Sequence, residues 1–426
     1  MKDSGIEWIG EIPETWGLHP AKFAFSEVKE KNTDGKINVA LQFKNGEIIR
    51  KTNFDADSDD YVADTILNYT IVVPNIIMIN GLNLNYDFKT QRVGLVKEAG
   101  VITSAYLALK PDENKISPEF AKYLFKGYES KMAFHNMGAG IRLTLGFKEF
   151  KSQPVLFPEL SEQFQIVSFL DRQCAHIDNI IEKTKASIEE YKKLRQSVIT
   201  QAVTKGVRGD RLMKDSGVEW IGEIPEEWTA IKIKYVSIIS RGLFNHRPRN
   251  DERYYDGKYP FIQTGDVAGA TKYITTYSQT LNELGKSVSK EFPKGTITMT
   301  IAANVGDIAI LGFDAYFPDS VVGIVPDNET LDNYFFYVLS SMKVVFMEKA
   351  VANAQLNLNV ERIKDIFIPY THNQEEQQEI AAYLDQKCAE IDALITKKEQ
   401  FLTELDAYKK SFIYEYVTGK KEVPQA

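Results

Sequence analysis

Side chains of the types that read nucleic-acid bases gather in a short turn in the first quarter of the chain. The turn contains Gly81, and its polar and basic residues are Asn80, Asn83, Asn85, Lys89, Gln91 and Arg92. Amide side chains and arginine are the usual hydrogen-bonding partners of adenine and guanine edges. A solvated loop without a ligand is the alternative, and the spacing alone leaves both interpretations open.

A second cluster, beyond residue 240, is richer in cations. Five basic or amide residues lie within nine positions, namely Arg241, Asn245, His246, Arg247 and Arg249. Three polar residues then follow an aromatic stretch, and they are Gln263, Thr264 and Asp266. Arginines at this density could position phosphates. A set of structural salt bridges is the alternative, and it also stays open.

Two further polar segments occupy corresponding places later in the two halves. The first, from Gly138 to Thr144, contains Arg142, and the second contains Asn353, Gln355 and Asn357. A glycine backbone or small amides beside a basic residue would suit a loop laid against nucleic acid. We therefore treat these four residues as candidate DNA contacts.

The sequence lacks the motifs of most catalytic sites. It has no G-x-x-x-x-G-K-[ST] phosphate loop and no Asn/Asp-Pro-Pro-aromatic motif, and its five histidines are scattered without metal-ligand spacing. Two cysteines in 426 residues favour a reducing, cytoplasmic setting. No apolar run reaches the roughly 18 residues that a membrane span needs. We expect no catalytic residue, metal or cofactor on this chain, and no membrane partner.

The chain is two copies of one plan. Met1–Trp16 returns at Met213–Trp228 with 14 of 16 positions identical. We call these two stretches the leading segments. A second echo places Cys388 where the first half has Cys174. Residues 17–150 and 229–362, which we call the inserts, share little sequence, so a constant frame holding two variable inserts suggests a bivalent reader.

The distribution of charge removes an objection to a nucleic-acid partner. The formal net charge is −8, but residues 1–16 carry −3, residues 213–228 carry −4 and residues 374–426 carry −4. The first insert has 17 Lys and Arg against 16 Asp and Glu, and the second has 14 of each. Each insert could therefore hold a basic face. The acidic frame is better suited to a protein partner.

Both inserts are predicted to mix strands and helices. Runs rich in Val, Ile and Thr predict strands at Ile71–Ile79, Arg92–Val96, Ile297–Ile301 and Ile308–Gly312. Helices are predicted at Ser117–Tyr128 and Leu331–Met347, each after a Pro-Asp turn. The leading segments, broken by Pro13 and Pro225, should be extended with their tryptophans packed down. The fold class is therefore α+β.

Each half ends in a long predicted helix. From Glu162 to about Val203 there is no Pro or Gly, and apolar residues recur at alternating spacings of three and four. The core positions of this seam are Leu170, Cys174, Ile177, Ile181 and Ile188, matched by Leu384, Cys388, Ile391, Ile395 and Leu402. The pattern is that of a coiled coil over about five heptads. The two helices can bury their seams against each other as an antiparallel pair with pseudo-two-fold symmetry.

Over its full length the chain resembles the specificity subunit of type I restriction–modification enzymes. The resemblance rests on the leading segments, on Leu356–Asp365, on the Glu-Gln…Leu-Asp patterns at Glu162–Asp171 and Glu376–Asp385, and on Val203–Gly206. It implies two globular α/β target recognition domains separated by a pair of long antiparallel coiled-coil helices. The implied division is 1–158, 159–206, 207–372 and 373–426, with the second and fourth parts as spacer helices.

The resemblance also implies a function. Each target recognition domain would read one half of a bipartite, asymmetric site in double-stranded DNA. The frame would dock two modification subunits, which carry S-adenosylmethionine, and restriction subunits would add ATP- and Mg-dependent cleavage. Glu159-Leu-Ser-Glu162 departs from the family, which more often has prolines there. The alternative function is a bivalent interaction scaffold with a coiled-coil spacer that does not bind DNA.

Overall fold

The computed structural model describes residues 1–51, 66–88, 91–140, 143–302, 304–352 and 356–424. These residues form two compact units. Unit 1 consists of Met1–Lys185 with Glu399–Ala426, and unit 2 of Ala186–Lys398. Each unit therefore contains one leading segment, one insert and a part of each long helix, whereas the sequence-based division treats each helix as a part of its own.

The two long helices run from Leu160 to Lys205 and from Gln374 to Val417. They match the predicted helices because an unbroken apolar seam without Pro or Gly sets their extent. Gly206 and Gly419 follow the helix ends with φ values of +73° and +68°, the left-handed conformation typical of a helix terminus. None of the helices in the described residues combines the length and apolar character that a membrane span requires.

The long helices pair antiparallel, as predicted. In unit 1 the ring centroid of Phe169, near the start of the first helix, lies 5.8 Å from that of Phe412 and 4.8 Å from that of Tyr416. Phe412 and Tyr416 are near the end of the second helix. In unit 2 Arg195 of the first helix forms an ion pair of 2.9 Å with Asp392 of the second. Seven of the predicted seam residues are buried and three are half-buried, the latter being Ile181, Ile395 and Leu402.

The leading segments fold as short hairpins. In the first, Lys2–Asp3 pairs with Glu11–Ile12, and in the second, Met213–Asp215 pairs with Glu223–Pro225. The tryptophans that close them, Trp16 and Trp228, are fully buried. The prediction of an extended segment with packed aromatics is therefore confirmed at these two residues.

The insert of unit 1 is built on a four-stranded antiparallel sheet. Its strands, in spatial order, are Phe25–Glu27, Leu107–Pro111, Ile77–Ile79 and Val93–Leu95. Three strand pairs surround it, namely Gly17–Pro20 with Pro154–Phe157, Leu41–Lys44 with Glu47–Arg50, and Thr70–Val72 with Gly100–Ile102. The helix Pro118–Ser130, which we call the first head helix, buries its apolar face on the sheet. A four-residue helix, Phe147–Phe150, precedes the strand Pro154–Phe157.

The insert of unit 2 has a different topology, with one five-stranded and one four-stranded sheet. The five-stranded sheet has the order Ser237–Arg241, Val321–Pro326, Ile297–Thr300, Ile308–Leu311 and Tyr273–Ile274. The four-stranded sheet has the order Gln279–Leu281, Tyr255–Phe261, Ala315–Tyr316 and Glu291–Phe292. The remaining pairs are Thr229–Lys232 with Phe367–Tyr370 and Val351–Ala352 with Leu356–Asn357. The helices are Thr264–Gly269, Glu283–Ser287, Asp332–Ser340, Lys343–Lys349 and Val360–Lys364.

Two predicted elements are divided in the structure. The predicted strand Ile71–Ile79 is two strands, because Asn75 adopts a left-handed φ of +73° and turns the chain between them. The predicted helix Leu331–Met347 is two helices, Asp332–Ser340 and Lys343–Lys349, of which we call the first the second head helix. In both runs apolar residues stand on each side of the break, at Val72 and Ile76 and at Leu339 and Val345, so a hydrophobic pattern alone joins the two elements.

Candidate nucleic-acid interfaces

The turn of the first candidate cluster is shaped by a buried arginine. Arg92 is only 1% exposed, and its guanidinium donates to the carbonyls of Asn80 and Leu82, both at 2.9 Å, and of Asp87 at 2.6 Å. Its backbone N–H donates to the carboxylate of Glu129 on the first head helix. A buried cation is tolerated when it is paired and hydrogen-bonded. Arg92 thus supports the loop from inside, which corrects its predicted role as a base-reading residue.

The outer surface of the same loop carries the groups that solvent can reach. Asn83, with a left-handed φ of +51°, is exposed, and so is Gln91, whereas Asn80 and Asn85 are half-buried. The Asn80 side chain accepts a hydrogen bond from the backbone of the loop. Lys89 and Arg142 lie outside the described residues. The amide pattern of the sequence therefore divides into two exposed and two half-buried side chains.

Sequence analysis missed the aromatic side chains of this loop. Tyr86 is 72% exposed, and the exposed Phe88 ring stacks on His135 with 5.0 Å between centroids. The His135 ring also hydrogen-bonds the Asp87 carbonyl at 3.1 Å. Interleaved amides and exposed rings on a hydrogen-bonded loop suit contact with bases as well as phosphates. The candidate cluster was defined by polar and basic residue types, so these aromatic side chains were left out of it.

In unit 2 one aspartate gathers the predicted arginines. Arg247 and Arg249 both form ion pairs with the Asp319 carboxylate, the first at 3.5 Å, and Arg241 donates to the Asp319 carbonyl. Both paired guanidiniums keep about half of their surface exposed. Two cations against one anion leave a net positive patch, so the salt-bridge and phosphate-binding interpretations are compatible here.

The histidine and amide of this cluster have mixed surroundings. His246 hydrogen-bonds the Asp251 carboxylate at 2.9 Å and stacks on Tyr254 with 4.0 Å between ring centroids. The Arg253 guanidinium, with help from His246, holds the pKa of Asp251 well below its usual range. The Asn245 side chain is exposed, while its backbone N–H donates a hydrogen bond to the carbonyl of Val288. His246 therefore supports the loop, and Asn245 faces solvent.

The three later candidates sit at the start of the helix Thr264–Gly269. Asp266 accepts the Gln263 backbone N–H at 2.7 Å and two hydrogen bonds of 3.1 Å from Ser278. Its carboxylate thus caps the helix and anchors the segment that leads into a neighbouring strand, and its role as a DNA contact stays a prediction. Thr264 is half-buried at the first helical position. The Gln263 side chain donates to Gln279 at 2.9 Å.

A cleft brings two of the predicted residues of unit 2 together. It has a volume of about 290 Å³. It is lined by Phe244, Arg249, Asn250, Tyr255, Phe261, Gln263, Gln279, Pro318 and Ser320. Arg249 and Gln263 were predicted from the sequence. The other seven come from separate stretches of the chain, so only the fold reveals that they share a surface.

The candidates of the later polar segment in unit 2 are described only in part. Asn353 and Gln355 lie outside the described residues. For Asn357 the structure gives the backbone, which lies in the strand Leu356–Asn357. These three residues stay predictions.

Matched hydrogen bonds fix both inserts to the frame. In unit 1 Gln163 accepts the Ser117 N–H at 2.8 Å and donates to two backbone carbonyls. In unit 2 Gln377 accepts the Leu331 N–H at 2.8 Å and also donates to two carbonyls. Both glutamines are fully buried. The Glu-Gln motif of the sequence is thus the joint between long helix and insert.

A second matched contact went unnoticed in the sequence. Tyr123 of the first head helix donates to Asp171 at 2.6 Å, and Tyr337 of the second head helix donates to Asp385 at 2.6 Å. Burial raises the pKa of both tyrosines. Because the flanking insert sequences differ, the repeat was not visible there. The constant frame therefore extends into the head helices.

One frame contact differs between the halves. In unit 2 the buried Glu376 carboxylate accepts Trp228 Nε1 at 3.0 Å and Thr371 Oγ1 at 3.2 Å, and it pairs with Arg211. In unit 1 Trp16 Nε1 has no hydrogen-bond partner among the described residues. Where the second half has Thr371, the first has Pro158, whose carbonyl also accepts from the joint glutamine but which offers no hydroxyl. The stretch Glu159–Glu162, which departs from the family pattern, follows directly after this position.

Comparison with known proteins decides the family. The family model described as "Type I restriction modification DNA specificity domain" matches residues 85–190 and 225–404. The chain belongs to the type I restriction–modification specificity subunit family. Its predicted identity is thereby confirmed, and DNA sequence recognition is the function of its domains.

Individual relatives agree with this family. The chain is 27% identical to the putative type I restriction enzyme MjaX specificity subunit of Methanocaldococcus jannaschii, over 97% of this chain and 96% of the relative. It is 26% identical to the MjaVIII specificity subunit of the same organism, over 86% and 85%. These specificity subunits are similar to this chain along most of its length.

Two solved structures share the fold. One, from a study of "complex assembly and conformational transition of the type I R-M system", superposes with a TM-score of 0.70 at 14% identity, covering 96% of this chain and all of the other. The HsdS subunit from Thermoanaerobacter tengcongensis gives a TM-score of 0.50 at 13% identity, covering 96% and 98%. The predicted mixed α/β specificity-subunit fold with two long helices is therefore confirmed.

Proposed function

We propose that this specificity subunit reads a bipartite, asymmetric site in double-stranded DNA, with one insert on each half. The observation that carries the proposal is a matched frame holding two unlike inserts. The Gln163 and Gln377 joints are equivalent, whereas the sheets behind them differ in strand number and order. Equivalent joints with different heads support two different half-sites in one target.

The frame is proposed to dock two modification subunits. The two leading hairpins repeat the same internal bonds, because Gly5 and Gly217 each donate to the aspartate two residues earlier, at 3.0 and 2.9 Å. Both glycines have a φ of +71°. Two copies of one acidic surface are suited to two copies of one partner. That partner would carry S-adenosylmethionine and methylate adenine in both half-sites, while restriction subunits would supply ATP- and Mg-dependent cleavage.

Methylome sequencing tests the DNA half of the proposal. Cells given this gene with its modification gene should acquire one split motif with N6-methyladenine in both halves. Exchange of either insert should change one half of the motif and leave the other intact. A motif without a gap, or the loss of both halves after one exchange, would contradict the assignment of one insert to each half.

Matched charge reversals test the docking half. Glu7 and Glu219 are equivalent, exposed residues of the two leading segments. We expect Glu7→Lys and Glu219→Lys each to reduce the bound modification protein from two copies to one, measured by native mass spectrometry. The double variant should bind none. Retention of two copies by all three variants would exclude this surface.

A further inference from the structure

The cleft of unit 2 has the size and the chemistry of a site for one base. We propose that it receives a single nucleobase of the second half-site, rotated out of the double helix and distinct from the adenine that is methylated. The inference rests on the proposed function. The volume of the cleft, about 290 Å³, lies near the lower limit of roughly 300 Å³ for pockets that bind small ligands. One planar ring system fits, whereas a longer segment of strand does not.

The wall of the cleft is a set of packed aromatic rings. The ring centroid of Phe244 lies 5.7 Å from that of Tyr255, with an interplanar angle of 24°, and 5.4 Å from that of Phe261. Phe244 and Phe261 are almost fully buried, so the surface beneath the cleft is rigid. A base that leaves the duplex loses its stacking on neighbouring bases and can stack on flat apolar surfaces of this kind.

The rim carries an amide pair with unused hydrogen-bonding groups. Gln263 donates to Gln279 at 2.9 Å, and each of these side chains has one further polar group without a partner among the described residues. Whichever way the two amides are turned, one free group is a carbonyl and the other an amino group. An adjacent donor and acceptor are complementary to the hydrogen-bonding edge of a base.

The charge around the cleft suits a polyanion. None of the described residues that line it carries a carboxylate. By contrast, a cavity of about 410 Å³ in unit 1 is lined by five carboxylates and by four lysines, so its charges are mixed. Arg249 belongs to the lining of the smaller cleft and to the pair gathered by Asp319. The phosphates that flank an extruded base would therefore meet arginine at this site.

The concave shape indicates a base outside the stack. Bases within a duplex present their edges at the floor of a groove, where protruding side chains, helices and strands read them. A cleft cannot reach such an edge. It can enclose a base only after rotation about the backbone, and the cost of a few kcal/mol for unstacking is offset by stacking and hydrogen bonds inside.

Base-by-base fluorescence tests the inference. The full chain, bound to its modification protein, is added to duplexes that carry 2-aminopurine at one position of the second half-site at a time. We expect increased emission at one position besides the methylated adenine. Ser320→Trp should fill the cleft and Gln279→Ala should remove the amide pair. Both should abolish that emission and weaken binding to the site by about 5- to 150-fold.

The controls separate this inference from the proposed function. Ser287→Trp places the same bulk on an exposed residue that does not line the cleft and should leave both signals unchanged. Tight binding to the split site with no emission that depends on the cleft would overturn the inference and leave the proposed function intact. Failure of the unaltered complex to bind any split site would overturn both.

Discussion

Replacement of Glu376 by alanine should loosen the base of the second insert. This carboxylate is 2% exposed and accepts hydrogen bonds from Trp228 Nε1, Thr371 Oγ1 and Arg211. The truncation leaves a buried indole N–H and a mostly buried guanidinium without their shared acceptor. Arg211 keeps its second ion pair, to Glu227, which limits the loss.

The magnitude follows from these contacts. Removal of one partner of a buried ion pair costs about 3–5 kcal/mol. Because Arg211 retains Glu227, we expect the lower end, about 3 kcal/mol. At roughly 1.4 kcal/mol for each factor of ten, this corresponds to about 150-fold more frequent local opening. Glu376→Gln should cost less, since it retains an oxygen acceptor for Trp228.

Hydrogen exchange measured by mass spectrometry on the full chain can resolve this effect. Peptides from 213–232 and 368–380 should exchange faster in Glu376→Ala, and peptides of unit 1 should not. Glu162→Ala is the matched control, because Trp16 Nε1 has no hydrogen-bond partner among the described residues. It should change exchange in unit 1 less than fivefold, or by under about 1 kcal/mol. Equal effects of the two variants, or none from Glu376→Ala, would refute the reasoning.

Four further perturbations have defined outcomes. Gln163→Ala and Gln377→Ala should each destabilise only their own unit by about 2–4 kcal/mol, measured by hydrogen exchange, since each leaves buried backbone groups unpaired. Arg92→Met should make the loop at 80–88 the first site of limited proteolysis. Asp319→Asn should strengthen non-specific DNA binding and steepen its dependence on log salt by about 0.9 for each added phosphate contact. Burial raises the pKa of Glu129 from 4.5 to about 7, so the folded chain holds that proton longer than the unfolded one. The stability of unit 1, measured by thermal unfolding, should therefore fall as the pH rises from 4.5 to 7. Glu129→Gln should flatten this pH dependence.

The frame could be predicted from the sequence because its signals are local. The seam repeats every few residues, so the extent of both long helices and the burial of Leu170 and Leu384 follow from spacing alone. The Glu-Gln motif marked the joints, although its function as a hydrogen-bonding link to the insert backbone did not follow from the letters.

The candidate sites could be predicted only in part, because residue type does not report burial. Arg92 and Arg249 look alike in the sequence, yet the first is inside the fold and the second keeps 46% of its side chain exposed. The cleft combines four separate stretches of the chain, and their meeting depends on long-range strand pairing. Tyr123 and Tyr337 were missed because their neighbours differ between the halves.

The glutamine joints have a consequence for how such a gene can change. Toward the inserts, Gln163 bonds the main chain of Ser117 and Lys115, and Gln377 bonds the main chain of Leu331 and Glu329. Main-chain groups are the same for nearly every amino acid, so these bonds impose a path on the insert and little demand on its composition. Recombination that brings in an unrelated insert with a similar turn therefore leaves the joint intact. These bonds do not restrict which side chains the inserts carry. The sequences of the frame and of the inserts can therefore change independently.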